Sequence, residues 1–297
     1  MAVKRIPASA AVPVQQANAL TGETPFWDAR NATLWWIDVQ GQRLICYSMQ
    51  QDRQQVWNLP SMPGFVVGRD GGGLIVGLED GLYPFDPAKG LGERLIAVEA
   101  DDPRTRLNDG KPDARGRLWF GSMDKTGSGA PVGALYRLGH DGRVNAIRRE
   151  VRIPNAICFS PDGRTLYFSD SRSGVLEAFS YDPASGEAGP SRPFASYDDE
   201  GKPDGACVDA DGCVWIAIVG GGRIERRRPD GELDTVIELP VSRPTMPMFG
   251  GADGSTLFVT SQRRFLTAEA LRAEPFAGDL LAVRVDAVAA PVALARF

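Results

Sequence analysis

Short apolar runs, each entered through a polar turn, recur along the whole chain. Asp28-Ala-Arg-Asn leads into Leu34-Trp35-Trp36, Asp70-Gly-Gly-Gly into Leu74-Ile75-Val76, and Asp113-Ala-Arg-Gly into Leu118-Trp119-Phe120. Asp162-Gly-Arg leads into Leu166-Tyr167-Phe168, Asp211-Gly into Val214-Trp215-Ile216, and Asp253-Gly-Ser into Leu257-Phe258-Val259. The turn aspartates, at 28, 70, 113, 162, 211 and 253, are separated by 42, 43, 49, 49 and 42 residues. A self-similar period of this length, with several strands in each repeat, is the signature of a propeller blade.

A second hairpin follows each apolar run. Gly174–Tyr181 is followed by the turn Asp182-Pro-Ala-Ser-Gly186, Gly133–Leu138 by His140-Asp-Gly142, and Gly222–Arg227 by Pro229-Asp-Gly231. Alternation, β-branched residues and Gly/Asp turns predict strands throughout. Only the Ala/Glu/Leu run 268–273 predicts a helical turn or two. The expected architecture is all-β, a single six-bladed propeller domain over residues 1–297 with about four antiparallel strands per blade. A ring must hide its edges, so Ala11–Gln16 and Val292–Phe297 are expected as strands of a shared last blade.

Composition narrows the chemistry. The 297 residues suffice for a sizeable core. A formal net charge of −5 argues against nucleic acid as a partner. No apolar run approaches the ~18 residues of a membrane span, so no membrane partner is expected. Lys4 and Arg5 precede a short Ala/Val stretch broken by Pro7 and Pro13, a poor secretory signal. Cys46, Cys158, Cys207 and Cys213 show no C-x-x-C spacing. They read as small buried side chains in a reducing, cytoplasmic compartment. The single histidine, His140, sits in a turn, which rules out multi-histidine metal sites. Chemistry must run on carboxylates, amides and a hard metal ion.

In a propeller the innermost strand of each blade lines the central channel, and residues just before it stand at one mouth. Counting five to seven residues back from each turn reaches Glu23, Asn108, Asn155 and Asp204. The same phase holds Pro63 and Gly64 in blade two and Thr245 and Met246 in blade six. Singly, Asn and Asp at strand ends are turn formers. Recurrence at one phase in four blades favours a site at one mouth of the channel. Two carboxylates and two amides make a hard oxygen site, suited to one divalent ion such as Ca²⁺, Mg²⁺ or Mn²⁺, with Zn²⁺ also accommodated by oxygen ligands.

Several segments resemble the gluconolactonase, regucalcin (senescence marker protein) and luciferin-regenerating enzyme family of six-bladed propellers. They are Gly22-Glu-Thr-Pro-Phe-Trp27, Leu34-Trp-Trp-Ile-Asp38, Arg106-Leu-Asn-Asp-Gly-Lys111, Gly121-Ser-Met-Asp124 and Gly133-Ala-Leu-Tyr136. Ile153-Pro-Asn-Ala-Ile157, Tyr167-Phe-Ser-Asp-Ser171, Lys202-Pro-Asp-Gly205 and Phe249-Gly-Gly251 continue the match in order. The resemblance implies a metal-dependent lactonase acting on a sugar lactone. It carries the metal ligands onto Glu23, Asn155 and Asp204 and the substrate contacts onto Arg106 and Asn108. It also makes Asp204 the catalytic general base. Some members have a further glutamate in the loop after the Gly-x-Met motif. Here that loop is Asp124-Lys-Thr-Gly-Ser-Gly129, with Asp124 as a candidate replacement and the N-terminus or residues 262–277 as a candidate lid. The alternatives are another metal-dependent esterase or phosphotriesterase, a calcium-binding regulatory protein without turnover, or an interaction scaffold.

Overall fold

The computed structural model describes residues 2–197 and 201–297. The strands assort into six sheets of mainly antiparallel pairing. Blade one is Gly22–Asp28, Thr33–Asp38, Arg43–Ser48 and Arg53–Asn58. Blades three and four repeat this four-stranded order, starting from Thr105–Pro112 and Pro154–Phe159. Blade two starts at Phe65–Gly68, and both Gly90–Leu91 and Ile96–Ala97 pair with its third strand, Gly81–Asp86. Blade five starts at Lys202–Val208 and gains a parallel outer strand, Lys4–Ile6. Blade six has Pro244–Gly250, Thr256–Ser261 and Leu280–Arg284.

Burial explains why the apolar runs lie where they do. Second strands such as Thr33–Asp38 and Val214–Val219 are buried nearly end to end, because a neighbouring blade covers each face. Outer strands such as Arg53–Asn58 are largely exposed and polar. Among the described residues the core divides into six clusters, one between each pair of adjacent blades. The cluster of Trp36, Ile45, Phe258 and Leu280 joins blade six to blade one and closes the ring.

The termini behave differently from each other. Val12–Gln15 pairs with Leu280–Ala282 as the outer strand of blade six. The C-terminal segment does not enter that blade, contrary to the sequence expectation, because Val12–Gln15 already occupies its edge. It crosses the turn side of the ring instead. Ala210 N donates to Val288 O, Asp70 N to Ala295 O, and Arg296 N to Gly116 O, each at 2.9 Å. Residues 289–294 thereby floor a cavity of about 330 Å³, into which Lys111, Cys158 and Cys207 face. All four cysteines are buried and unpaired. His140 lies in an exposed turn. The run 268–273 forms one short helix, Ala268–Ala273, whose Thr267 hydroxyl accepts from Ala270 N.

Candidate active site at the mouth of the channel

Five of the six innermost strands break register at their mouth ends, at Glu23/Phe26, Asn108/Gly110, Asn155/Cys158, Pro203/Ala206 and Pro244/Met246. Each break adds a residue and re-aims side chains out of the ladder. The residues after Glu23 and Asn155 adopt left-handed backbone, Thr24 at φ 43° and Ala156 at φ 56°. Neither is glycine, so each costs about 1–2 kcal/mol, a strain typical of functional positions. Gly205, after Asp204, answers a different need: a Cβ there would lie 2.5 Å from Met246 Cβ.

Counted from the far-end turns, the spacing is regular. Each turn at the far end is opened by a residue whose carbonyl accepts from the N–H three positions on: Asp28, Asp113, Ser160 and Asp209. Glu23, Asn108, Asn155 and Asp204 stand five residues before these (23 and 28, 108 and 113, 155 and 160, 204 and 209). The uneven count in the sequence arose from taking Asp162 and Asp211 as the reference. Asp209, fully buried, holds Asp211 N, Cys213 N, the Trp215 indole and Arg226, whereas Asp211 is exposed.

Hydrogen bonds tie three of the blades together at this level. Arg106 Nη1 donates to Asn108 Oδ1 at 2.9 Å. Asn108 Nδ2 donates to Asn155 Oδ1 at 3.0 Å and to Pro154 O at 2.9 Å. Asn155 Nδ2 donates to Ser171 Oγ at 2.9 Å, and Ser171 Oγ donates to Pro203 O at 2.5 Å, one residue before Asp204. Both amide hydrogens of Asn108 are thus engaged, and Asn155 keeps one lone pair of Oδ1 for a ligand. Blades two and six contribute no such oxygen. A Cβ on Gly64 would run into the Leu107 carbonyl, and the Thr245 hydroxyl is turned onto Gly22 O and Thr260 Oγ1.

Three carboxylates interact electrostatically here. Glu23 Oε2 accepts from Thr24 N at 3.2 Å. Burial, then the charges of Asp204 and Asp109, push the Glu23 carboxyl well above the usual carboxylate range, against Thr24 N–H and Arg106. Asp204 is 6% exposed, and burial and then Asp109 raise it to about 8, against Arg243 and the Gly205 N–H. Asp109, 2% exposed, is raised by burial to about 6, against Lys111 and the N–H groups of Ile157 and Gly110. Its Oδ2 accepts from Ile157 N at 2.9 Å, while Oδ1 has no partner among the described residues. Burial lowers Arg106 to about 10.

Asp109 and Ser171 were missed by the sequence count. Both lie inside segments that carried the resemblance, but Asp109 is the extra residue of a bulge and Ser171 begins a 3-10 turn after its strand. Asp124 is spent on its own loop. Its Oδ1 accepts from Thr126 N and Oγ1 and its Oδ2 from Ser128 Oγ and Gly129 N, which holds the carboxyl well below the usual range.

Among the described residues no three Asp, Glu, His or Cys side chains form a ready cage for a metal. The chemistry of the donor set nevertheless fits a hard cation. Glu23 and Asp204 receive few hydrogen bonds for carboxylates at this depth, Asp109 Oδ1 is orphaned, and all three are destabilised as anions.

Comparison with known proteins places the molecule. The sequence family described as "SMP-30/Gluconolactonase/LRE-like region" matches residues 21–263. A 6-deoxy-6-sulfogluconolactonase from Pseudomonas putida is 36% identical over 92% of this chain and 94% of its own. An L-arabinolactonase from Azospirillum brasilense is 35% identical over 98% and 96%. The crystal structure of a calcium-binding protein, regucalcin, from Agrobacterium tumefaciens superposes over all of both chains with a TM-score of 0.95 at 30% identity. By sequence and by architecture, this chain belongs to the SMP-30/gluconolactonase/LRE-like family.

Proposed function

We propose that this protein hydrolyses the ring ester of a sugar lactone to the sugar acid, with a divalent cation held by Glu23, Asn155 and Asp204. The observation that carries the reading is the arrival of two acids and a tethered amide from three blades at one phase of the ring, beside Arg106. Relatives named as sugar lactonases over almost their whole length support the substrate class.

A cation bound there would polarise the lactone carbonyl and acidify water. The residues of the chain supply the rest. Asp204 accepts the proton of the attacking water, which requires its carboxylate form; burial opposes that form, and a positive charge beside it restores it. Arg106 donates to substrate oxygens. Asn108, with both N–H groups occupied, meets a substrate hydroxyl through Oδ1 as an acceptor. The chain Arg106–Asn108–Asn155–Ser171 fixes the donor and the ligand amide relative to each other, so substrate orientation and carbonyl activation share one frame.

The test is a pH-indicator assay on a panel of aldonolactones with Ca²⁺, Mg²⁺, Mn²⁺ or Zn²⁺ after exhaustive chelation. Turnover that vanishes with chelator and returns with one of these ions supports the reading. Turnover that survives chelation removes the cation from it. A second reading, calcium binding without turnover, is favoured by the name of the Agrobacterium structure. It predicts calcium affinity with no hydrolysis of any lactone, phosphotriester or aryl ester.

A further inference from the structure

Above the acidic floor, the rim of the mouth carries positive charge that the proposed hydrolysis does not use. Arg243 opens the innermost strand of blade six, Pro244–Gly250, and Arg264 lies just beyond the second, Thr256–Ser261. Both guanidinium groups pack on one ring: the Cζ of Arg243 is 5.5 Å and that of Arg264 4.6 Å from the centroid of Phe265. Phe265 is 69% exposed and sits at φ 71°, a left-handed backbone that a bulky residue adopts at a cost. The exposed ring thus serves as a platform for two guanidinium groups rather than as part of the core.

Among the described residues the arginines also lack carboxylate partners. Among the described residues neither guanidinium makes an ion pair or a side-chain hydrogen bond, and Arg243 Nε is buried with no acceptor. The acid beside Arg243 is engaged elsewhere. Glu274 Oε2 accepts from Ser242 N and Oγ. Arg243 directly precedes Pro244, where the innermost strand of blade six breaks register, and its carbonyl accepts from Gln262 N at 3.0 Å, while Arg264 N donates to Leu20 O at 2.9 Å just before the innermost strand of blade one, so both lie at the same mouth as the site.

We infer that Arg243 and Arg264, braced on Phe265, form an anion-binding rim, and that the lactone taken here carries a negatively charged substituent remote from its ring carbonyl. The inference rests on the lactone reading above. Its physical basis is the separation of charge along the channel axis. Carboxylates and their cation at depth address the carbonyl, while guanidinium donors at the rim address a carboxylate, sulfonate or phosphate at the other end of the molecule. Arg243 Nε would gain the acceptor it lacks.

The experiment compares kcat/KM for glucono-1,5-lactone with that for its 6-phospho and 6-sulfo derivatives and the lactone of the 6-carboxylate. Wild type is expected to favour at least one anionic lactone, with the preference shrinking as sodium chloride is raised. Arg264→Gln and Arg243→Gln are expected to lower the anionic-to-neutral ratio about 10–100-fold, the range of a charge-assisted hydrogen bond, and the lysine variants to keep part of it. Arg264 is exposed, so its variants test the idea even if Arg243→Gln unfolds. An unchanged ratio overturns the inference and leaves the lactonase reading intact. So does an equal loss on neutral and anionic lactones, which would mean that the arginines serve the buried carboxylates. Failure of every lactone overturns both.

Discussion

Asn108 and Asn155 belong to different blades and lie 47 residues apart, yet Asn108 Nδ2 donates to Asn155 Oδ1 at 3.0 Å. This bond fixes the orientation of the Asn155 amide from its oxygen end. It also couples Arg106, which donates to Asn108, to the proposed cation ligand. The other side of the same amide is fixed by Ser171.

Ser171→Ala should therefore disturb a ligand without touching one. The change leaves Asn155 Nδ2 and Pro203 O short of a partner, at a cost of about 1–3 kcal/mol in stability. Calcium affinity should fall about 10–100-fold, as when a residue that orients a ligand is lost. Isothermal titration of chelated protein reads this directly. Wild-type affinity in the variant would show that Asn108 alone orients Asn155, or that Asn155 does not bind the ion.

Asp204→Ala should reduce lactone turnover by at least about 10²–10⁴-fold, the usual weight of a general base. Thermal unfolding should remain cooperative, because Asp204 lies at a bulge outside the six inter-blade clusters. Retained turnover in a folded variant would remove Asp204 from the base role.

The buried acids give stability a pH dependence of defined sign. Unfolded aspartate titrates near ~3.9, whereas Asp204 and Asp109 are raised to about 8 and about 6 in the fold. The folded chain thus binds more protons, so this contribution is fully present below the unfolded value and is lost as pH rises through the folded ones. In chelator, the thermal midpoint should show a declining component across that window. Asp204→Asn should remove the part of the slope nearest pH 8, and added cation should stabilise the wild type more at high pH than at low. Identical slopes for wild type and variant would show that Asp204 titrates normally.

Gly205→Ala should destabilise by about 1–3 kcal/mol, the cost of overpacking, because its Cβ would collide with Met246. The double variant with Met246→Gly, which removes the Cβ as well as Cγ and Cε, should lose less than the sum of the two single changes. Strict additivity in chemical denaturation would place the cost of Gly205→Ala in the backbone instead.

The six repeats, the strand character of nearly every segment and the convergence of Glu23, Asn108, Asn155 and Asp204 were all legible in the sequence. Each depends on a pattern that is local in the chain: alternation within a strand, turn residues at its end, and a period near the length of a blade. Asp109 escaped the count because a bulge moves one residue out of alternation, and a one-residue shift changes the face of a side chain without changing composition. Asp124 looked available as a substrate contact, but its oxygens close its own loop. The C-terminal segment resembled a closing strand, but the edge it would need is filled from the other end of the chain.

The sequence by itself therefore determined the architecture and the family, since these follow from periodic burial and ordered motifs. Tertiary structure decided which oxygens face one another, which acids lose their solvent and which arginines go unpaired. Those properties arise between blades, from contacts across tens to hundreds of residues, and no local pattern encodes them.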